Sequence, residues 1–191
     1  MSVNRRLKEG KKVWVISPGG KQAYEVTSAT MHPRYIHWKK HIEYQTPDVG
    51  VLTVQLNGRQ PDSVVDLANS GELKALSPGA NLCYIGYPGW NDTETYPSMN
   101  KIEPRIYAGT LVRLTSLKEE SAEHKNQYLL EHNMQNTGGA SGSPIFNKHG
   151  KVVAVHNSGS SSEVLTKGGS TDIPYGPTWG IRVDLLKELL K

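Results

Sequence analysis

The chain has 191 residues, a formal net charge of +4, a sequence pI near 9.1 and 36% apolar residues, enough for one or two compact lobes with a buried core. Its basic residues are scattered; Arg5, Arg6, Lys8, Lys11 and Lys12 come nearest to a patch and no stacking aromatics accompany them, which argues against nucleic acid as a partner. No run approaches the roughly 18 apolar residues of a membrane span, and Met1-Ser2-Val3-Asn4-Arg5-Arg6 opens no apolar signal-peptide core, so no membrane association is expected from these residues.

In chain order, short apolar runs alternate with turn residues such as Ser17-Pro18-Gly19-Gly20, Asn57-Gly58, Ser77-Pro78-Gly79 and Tyr87-Pro88-Gly89. That spacing predicts an all-β barrel or sandwich. Strands are expected at 13–16, 24–29, 49–56, 82–87, 102–115, 128–132, 143–146, 152–156 and 178–183, with the clearest alternation over 49–56. Residues 61–76, where Asp62, Asp66 and Glu72 stand among short apolar pairs, read as a crossing connection, and 184–190 has helical spacing. The Ser-rich 158–162 and the Gly-rich 167–170 read as loops. In the 88–97 loop, Trp90 and Tyr96 suit either a substrate rim or local packing, and Asn91-Asp92-Thr93 is a glycosylation sequon of the kind that arises by chance. The single cysteine, Cys83, sits in an expected strand as a buried residue and has no disulfide partner in the chain. There is no CxxC and no HExxH, and the histidines are dispersed, so no metal or other cofactor is expected.

Residues 137–147 read Thr-Gly-Gly-Ala-Ser-Gly-Ser-Pro-Ile-Phe-Asn and carry the chemistry. Ser141, flanked by Gly139 and Gly142, combines a reachable hydroxyl with backbone N–H groups able to converge on one small volume, as acyl transfer requires. An ordinary Gly/Ser turn is the bland alternative. The context favours the nucleophile: apolar runs follow on both sides of a Lys148-His149-Gly150 turn, predicting a hairpin behind an exposed serine. The α/β-hydrolase elbow fails because Ser143 stands where its second glycine belongs, and no Gly-Lys-Ser/Thr makes a phosphate loop.

The run from Thr137 to Gly159, TGGASGSPIFNKHGKVVAVHNSG, resembles the nucleophile region of chymotrypsin-fold serine peptidases, most closely the bacterial glutamyl endopeptidase (V8-type) group. Pro47-Asp48-Val49-Gly50-Val51-Leu52 resembles the segment carrying the triad carboxylate; Tyr84-Ile85-Gly86-Tyr87-Pro88-Gly89 and Thr178-Trp179-Gly180-Ile181-Arg182-Val183 resemble two further strands. The resemblance implies a chymotrypsin-like double β-barrel: a remnant of the first barrel at 1–58, a connection at 59–76, a second barrel at 77–182 and a closing helix at 183–191. It implies a serine endopeptidase acting on protein or peptide, with Ser141 as nucleophile, Asp48 as orienting carboxylate and the N–H groups of Gly139 and Ser141 as oxyanion hole. The full-length protein would be secreted or periplasmic if it follows these relatives. The substrate pocket would be lined by Gln135, Asn136, His156, Asn157, Ser158 and Gly159; His156 matches the histidine that binds an acidic P1 side chain, and Asn136 replaces a threonine. An acidic or polar P1 residue is the expectation, against the bland reading of His156 as a polar strand-end residue.

One part of the pattern is missing. Relatives carry the histidine base in a Thr-Ala-x-His type segment well ahead of the aspartate, and nothing in residues 1–30 matches it. His32, His37 and His41 resemble the loop that follows and are expected as solvated loop residues rather than as the base. Either the chain is an N-terminally truncated piece of a longer peptidase, inactive alone, or it is a catalytically dead, peptide-binding relative. Truncation is favoured because Asp48, Gly139, Ser141 and Gly142 are all kept. An HtrA-like domain working in an oligomer is disfavoured, as no PDZ-like sequence follows Lys191.

Overall fold

A computed structural model describes residues 3–17, 21–36, 46–61, 63–87, 104–136, 139–166 and 169–191, with backbone alone for 160–175. His37, His41, Thr137, Gly138 and the 88–97 loop with its sequon lie outside the described residues. The elements are α1 (Val3–Lys8), β1 (Trp14–Ile16), β2 (Ala23–Met31), β3 (Gly50–Gln55), α2 (Ser70–Lys74), β4 (Asn81–Gly86), β5 (Arg105–Thr115), a 3-10 turn (His124–Asn126), β6 (Leu129–His132), β7 (Pro144–Asn147), β8 (Val152–Thr166), β9 (Gly169–Arg182) and α3 (Val183–Lys187). None of these helices is long and apolar enough to cross a membrane.

Strands β1, β2 and β3 form an antiparallel sheet in that order, while β4-β5-β6-β9-β8-β7 closes into a six-stranded barrel. The period-two pattern explains the barrel. In β4, Leu82, Tyr84 and Gly86 point inward, so Cys83 falls on the other face and is only half-buried, correcting the expectation of a buried thiol. Leu111, Leu130, Ile145, Val153 and Ala154 complete the interior with Tyr84. Full burial of such an aliphatic side chain stabilises by about 1.5–3 kcal/mol. Gly180 of β9 lies opposite His156 and lets Ile145 close the interior; a Cβ there would meet Ile145 Cδ1 at 2.6 Å and Ala154 Cβ at 3.1 Å.

The turn chemistry behaves as the sequence implies. Asn57 and Gly58 both take positive φ, 53° and 75°, as a type I′ turn demands, and Gly150 at φ 70° ends the tight link between β7 and β8. Helix α2, inside the connection expected at 61–76, owes its start to a reciprocal capping box: Asn69 Oδ1 accepts from Glu72 N–H and Glu72 Oε2 accepts from Asn69 N–H.

The largest departure concerns β8 and β9. Their pairing runs from Ala154↔Arg182 out to Thr166↔Gly169, so 158–162 and 169–170, expected as loops, are strand in a long antiparallel ribbon, while 167–168 lie outside the described residues. Backbone hydrogen bonds, indifferent to side-chain polarity, hold a strand that shows no apolar alternation.

The sheet and the barrel meet at Val49, which packs with Leu129, Trp179, Ile181 and Leu185. His32 N–H donates to Val49 C=O at 2.9 Å, and the His32 ring is buried with Nε2 3.1 Å from Glu188 Oε2, just beyond α3. This overturns the expectation of a solvated His32: the ring is fixed between Arg34 N–H, which donates to its Nδ1, and the Glu188 carboxylate.

Gly180→Ala is expected to destabilise the fold by about 1–3 kcal/mol, because the added methyl overfills the barrel. Urea titration checks this; an unchanged midpoint would contradict the packing described.

Candidate active site

The turn entering β7 is built by two glycines in the left-handed region, Gly139 at φ 88° and Gly142 at φ 89°, where a side chain would be strained. Ala140 between them is fully buried, and Ser141 is exposed. Two hydrogen bonds stitch the turn to β8: Gly142 N–H donates to His156 C=O and His156 N–H donates to Ser143 C=O, both at 2.8 Å. The N–H groups of Gly139 and Ser141 have no hydrogen-bond partner among the described residues.

Strand β8 carries a bulge where the register passes from His156↔Gly180 to Ser158↔Trp179, leaving Asn157 as the extra residue. Bulges re-aim side chains. Here Asn157 turns out of the barrel: its C=O accepts the Ser141 Oγ–H at 2.9 Å, and its Nδ2 donates to Asp48 Oδ2 at 3.3 Å. Asp48 is exposed between buried Pro47 and Val49. The serine and the aspartate singled out from sequence are therefore joined through a single residue. Tyr35 lies near Asp48, its phenol pushed up in pKa by burial and then by the Asp48 charge.

No described histidine hydrogen-bonds Ser141 or Asp48. His32 is committed to Glu188 and cannot serve as base.

Below the turn lies a buried polar chain. Met134 N–H donates to His132 Nδ1 at 3.3 Å, His132 Nε2 lies 3.3 Å from His156 Nδ1, and His156 Nε2 lies 3.0 Å from Asn136 Oδ1. Tyr84 stacks on the His156 ring with centroids 5.1 Å apart, and its hydroxyl donates to Gln135 C=O at 2.7 Å. Gly159 touches Asn136, since a Cβ there would fall 2.2 Å from Asn136 Nδ2. Gln135 and Ser158 are exposed. His156 is a buried residue inside a long strand rather than a polar strand end.

His132 was absent from the sequence-based site. Its signal was there, because period two in Leu129-Leu130-Glu131-His132 places the imidazole on the same inward face as Leu130. Burial and then the neighbouring His156 push His132 down to about 3; burial pushes His156 down to about 4. Among the described residues no group of three His, Cys, Asp or Glu side chains converges as a metal-ligand set.

A closed antiparallel barrel beside a second sheet, with the candidate serine at their junction, defines a chymotrypsin-like serine-peptidase fold. The trypsin-like peptidase domain family matches residues 4–155, and the chain belongs to that family. Among solved structures the chain is similar to Deg5 (17% identity, TM-score 0.55, 97% of this chain and 72% of that one) and to a Glu endopeptidase in complex with MPD (16%, 0.56, 95% and 73%). It is also similar to the HtrA-type protease AlgW with decapeptide (14%, 0.58), covering 98% of this chain and 46% of that one. At these identities the likeness shows the fold alone and does not separate a V8-type from an HtrA-type reading. A search of curated protein sequences finds no match.

Acid should unfold this protein through its buried imidazoles. Both folded pKa values lie below 6.5, so the unfolded chain binds more protons between pH 6.5 and about 4, and stability present above 6.5 falls as pH drops through that window. The ceiling is roughly 1.4 kcal/mol per pH unit for each histidine. Melting temperatures followed from neutral pH downward should show this slope, shallower in a His132→Gln/His156→Gln variant; equal slopes would contradict the assignment.

Proposed function

We propose that the chain is a serine endopeptidase domain. In this reading Ser141 Oγ attacks the substrate carbonyl carbon and passes its proton to a histidine base. The oxyanion is received by the N–H groups of Gly139 and Ser141, and Asp48 orients and charge-stabilises the base. Collapse of the tetrahedral intermediate releases the amine, which takes that proton, and water then hydrolyses the acyl-enzyme. In this reading the base is a histidine outside the described residues, since no described histidine hydrogen-bonds Ser141 or Asp48. Asn157 Nδ2, bonded to Asp48, would hold the carboxylate toward that base.

The observation that carries this reading is the line Ser141–Asn157–Asp48, beside two N–H groups with no partner among the described residues. A P1 pocket formed by Asn136, His156 and Gly159, with Gln135, Asn157 and Ser158 around it, would suit a side chain ending in an acceptor oxygen, the acidic residues among them; the contacts among Asn136, His156 and Gly159 support this reading. Membership of the trypsin-like peptidase family supports a peptide or protein as substrate.

A second reading has its own observation. The Ser141 hydroxyl donates to Asn157 C=O with no described histidine beside it, which favours a catalytically silent, peptide-binding module.

Labelling with a fluorophosphonate probe separates the two. The protein expressed from its full reading frame should be labelled, Ser141→Ala should not, and Asp48→Asn should lower turnover by on the order of 10⁴-fold. Absence of labelling in the full-length protein, or labelling that survives Ser141→Ala, would defeat the enzyme reading and leave the binding module.

A further inference from the structure

The buried polar chain has a direction. An amide N–H can only donate, so Met134 N–H fixes His132 Nδ1 as an acceptor. The proton of neutral His132 then sits on Nε2 and is donated to His156 Nδ1. That leaves the His156 proton on Nε2, where it is donated to Asn136 Oδ1. Each link is forced by the one before it. The last consequence is the orientation of the Asn136 carboxamide: its oxygen faces His156, and its nitrogen lies against Gly159, where only the absence of a Cβ leaves room. Asn136 Nδ2 has no hydrogen-bond partner among the described residues, and Asn136 is only half-buried. Asn136 therefore presents unpaired N–H donors and no formal charge beside Gly159.

The surroundings keep the polar chain uncharged. Among the described residues, the titratable groups facing the two imidazoles are each other and Tyr84, whose ring stacks on His156 and lies 6.5 Å from His132. No described carboxylate, lysine or arginine hydrogen-bonds or ion-pairs with either ring.

We propose that Asn136, held by the His132–His156 relay, is the donor that selects the P1 side chain, and that it reads an acceptor oxygen regardless of charge. Glutamine at P1 is then cleaved about as well as glutamate. The inference rests on the endopeptidase reading above and specifies its substrate class. A carboxylate makes the stronger hydrogen bond, but with no cation in the wall it loses more hydration on entry, and the two effects oppose each other. A carboxamide makes the weaker bond at the smaller cost. His132 is a positioning residue, acting through His156 on the face that Asn136 presents.

The test uses matched peptides differing only at P1 with the full-length protein. The kcat/KM values for Gln and Glu should agree within about threefold, the ratio should stay flat from about pH 6 to 8, and both should exceed Leu and Lys by about tenfold or more. A preference for Glu above tenfold that grows on acidification, the signature of a cationic imidazole, would overturn the proposal. His132→Leu removes the proton held against His156 Nδ1 and lets Asn136 turn its oxygen to the pocket. The ratio of kcat/KM for Gln and Glu to that for Leu should then fall by about tenfold or more, whatever becomes of the overall rate. A parallel loss on all peptides would mean a merely structural histidine.

A second measurement stands apart from catalysis. Long-range ¹⁵N–¹H spectra of the resting protein should show His132 and His156 both neutral with the proton on Nε2 at about pH 6. A His156 proton on Nδ1, or a cationic ring, would sink the proposal even in an active enzyme. The expected tautomers in a protein that no serine probe labels would instead overturn the endopeptidase reading alone.

Discussion

The placement of Ser141 depends on two hydrogen bonds, Gly142 N–H to His156 C=O and His156 N–H to Ser143 C=O. They tie the serine turn to the barrel strand that also carries His156 and Gly159, so the candidate nucleophile and these residues cannot move independently. One residue later the register slips, and the bulge turns Asn157 out of the barrel instead of into it. Without the stitch the turn would lose its fixed backbone. Without the slip Asn157 could reach neither Ser141 nor Asp48.

Asp48 arrives from a different sheet, and its placement rests on separate interactions. Val49 next to it is buried among Leu129, Trp179, Ile181 and Leu185, and its carbonyl accepts the His32 N–H. His32 is in turn pinned by Glu188, which Arg34 also approaches at 3.5 Å. The carboxylate side chain projects from an anchored backbone into solvent, so its position is set by the packing of its neighbours. At this interface the sheet of β1–β3 and the barrel share contacts, and the Asp48–Asn157 hydrogen bond lies beside it.

The candidate nucleophile was legible in the sequence because glycines at 139 and 142 declare a backbone that few other residues tolerate, and the hairpin behind them has a period of two. Asp48 carried no such local mark and took its meaning from order along the chain. The relay through His132 went unread because hydrogen-bonded partners 24 residues apart leave no motif, only an imidazole at an inward strand position. The β8–β9 ribbon reads as loops in the sequence for the opposite reason: backbone pairing holds it, and side-chain pattern says nothing about backbone pairing. Nothing local in the sequence marks His32 as buried, because its partner, Glu188, lies 156 residues away.

The central claim, that the serine turn is part of the barrel's hydrogen-bonded frame rather than a loop laid over it, is open to native-state hydrogen exchange. The amides of Gly142 and His156 should exchange only through the large opening that also exposes the amides of Leu82, Tyr84 and Leu130, with free energies within about 1 kcal/mol of theirs. Exchange of Gly142 and His156 at the rate of exposed turn amides, while those strand amides stay protected, would contradict it.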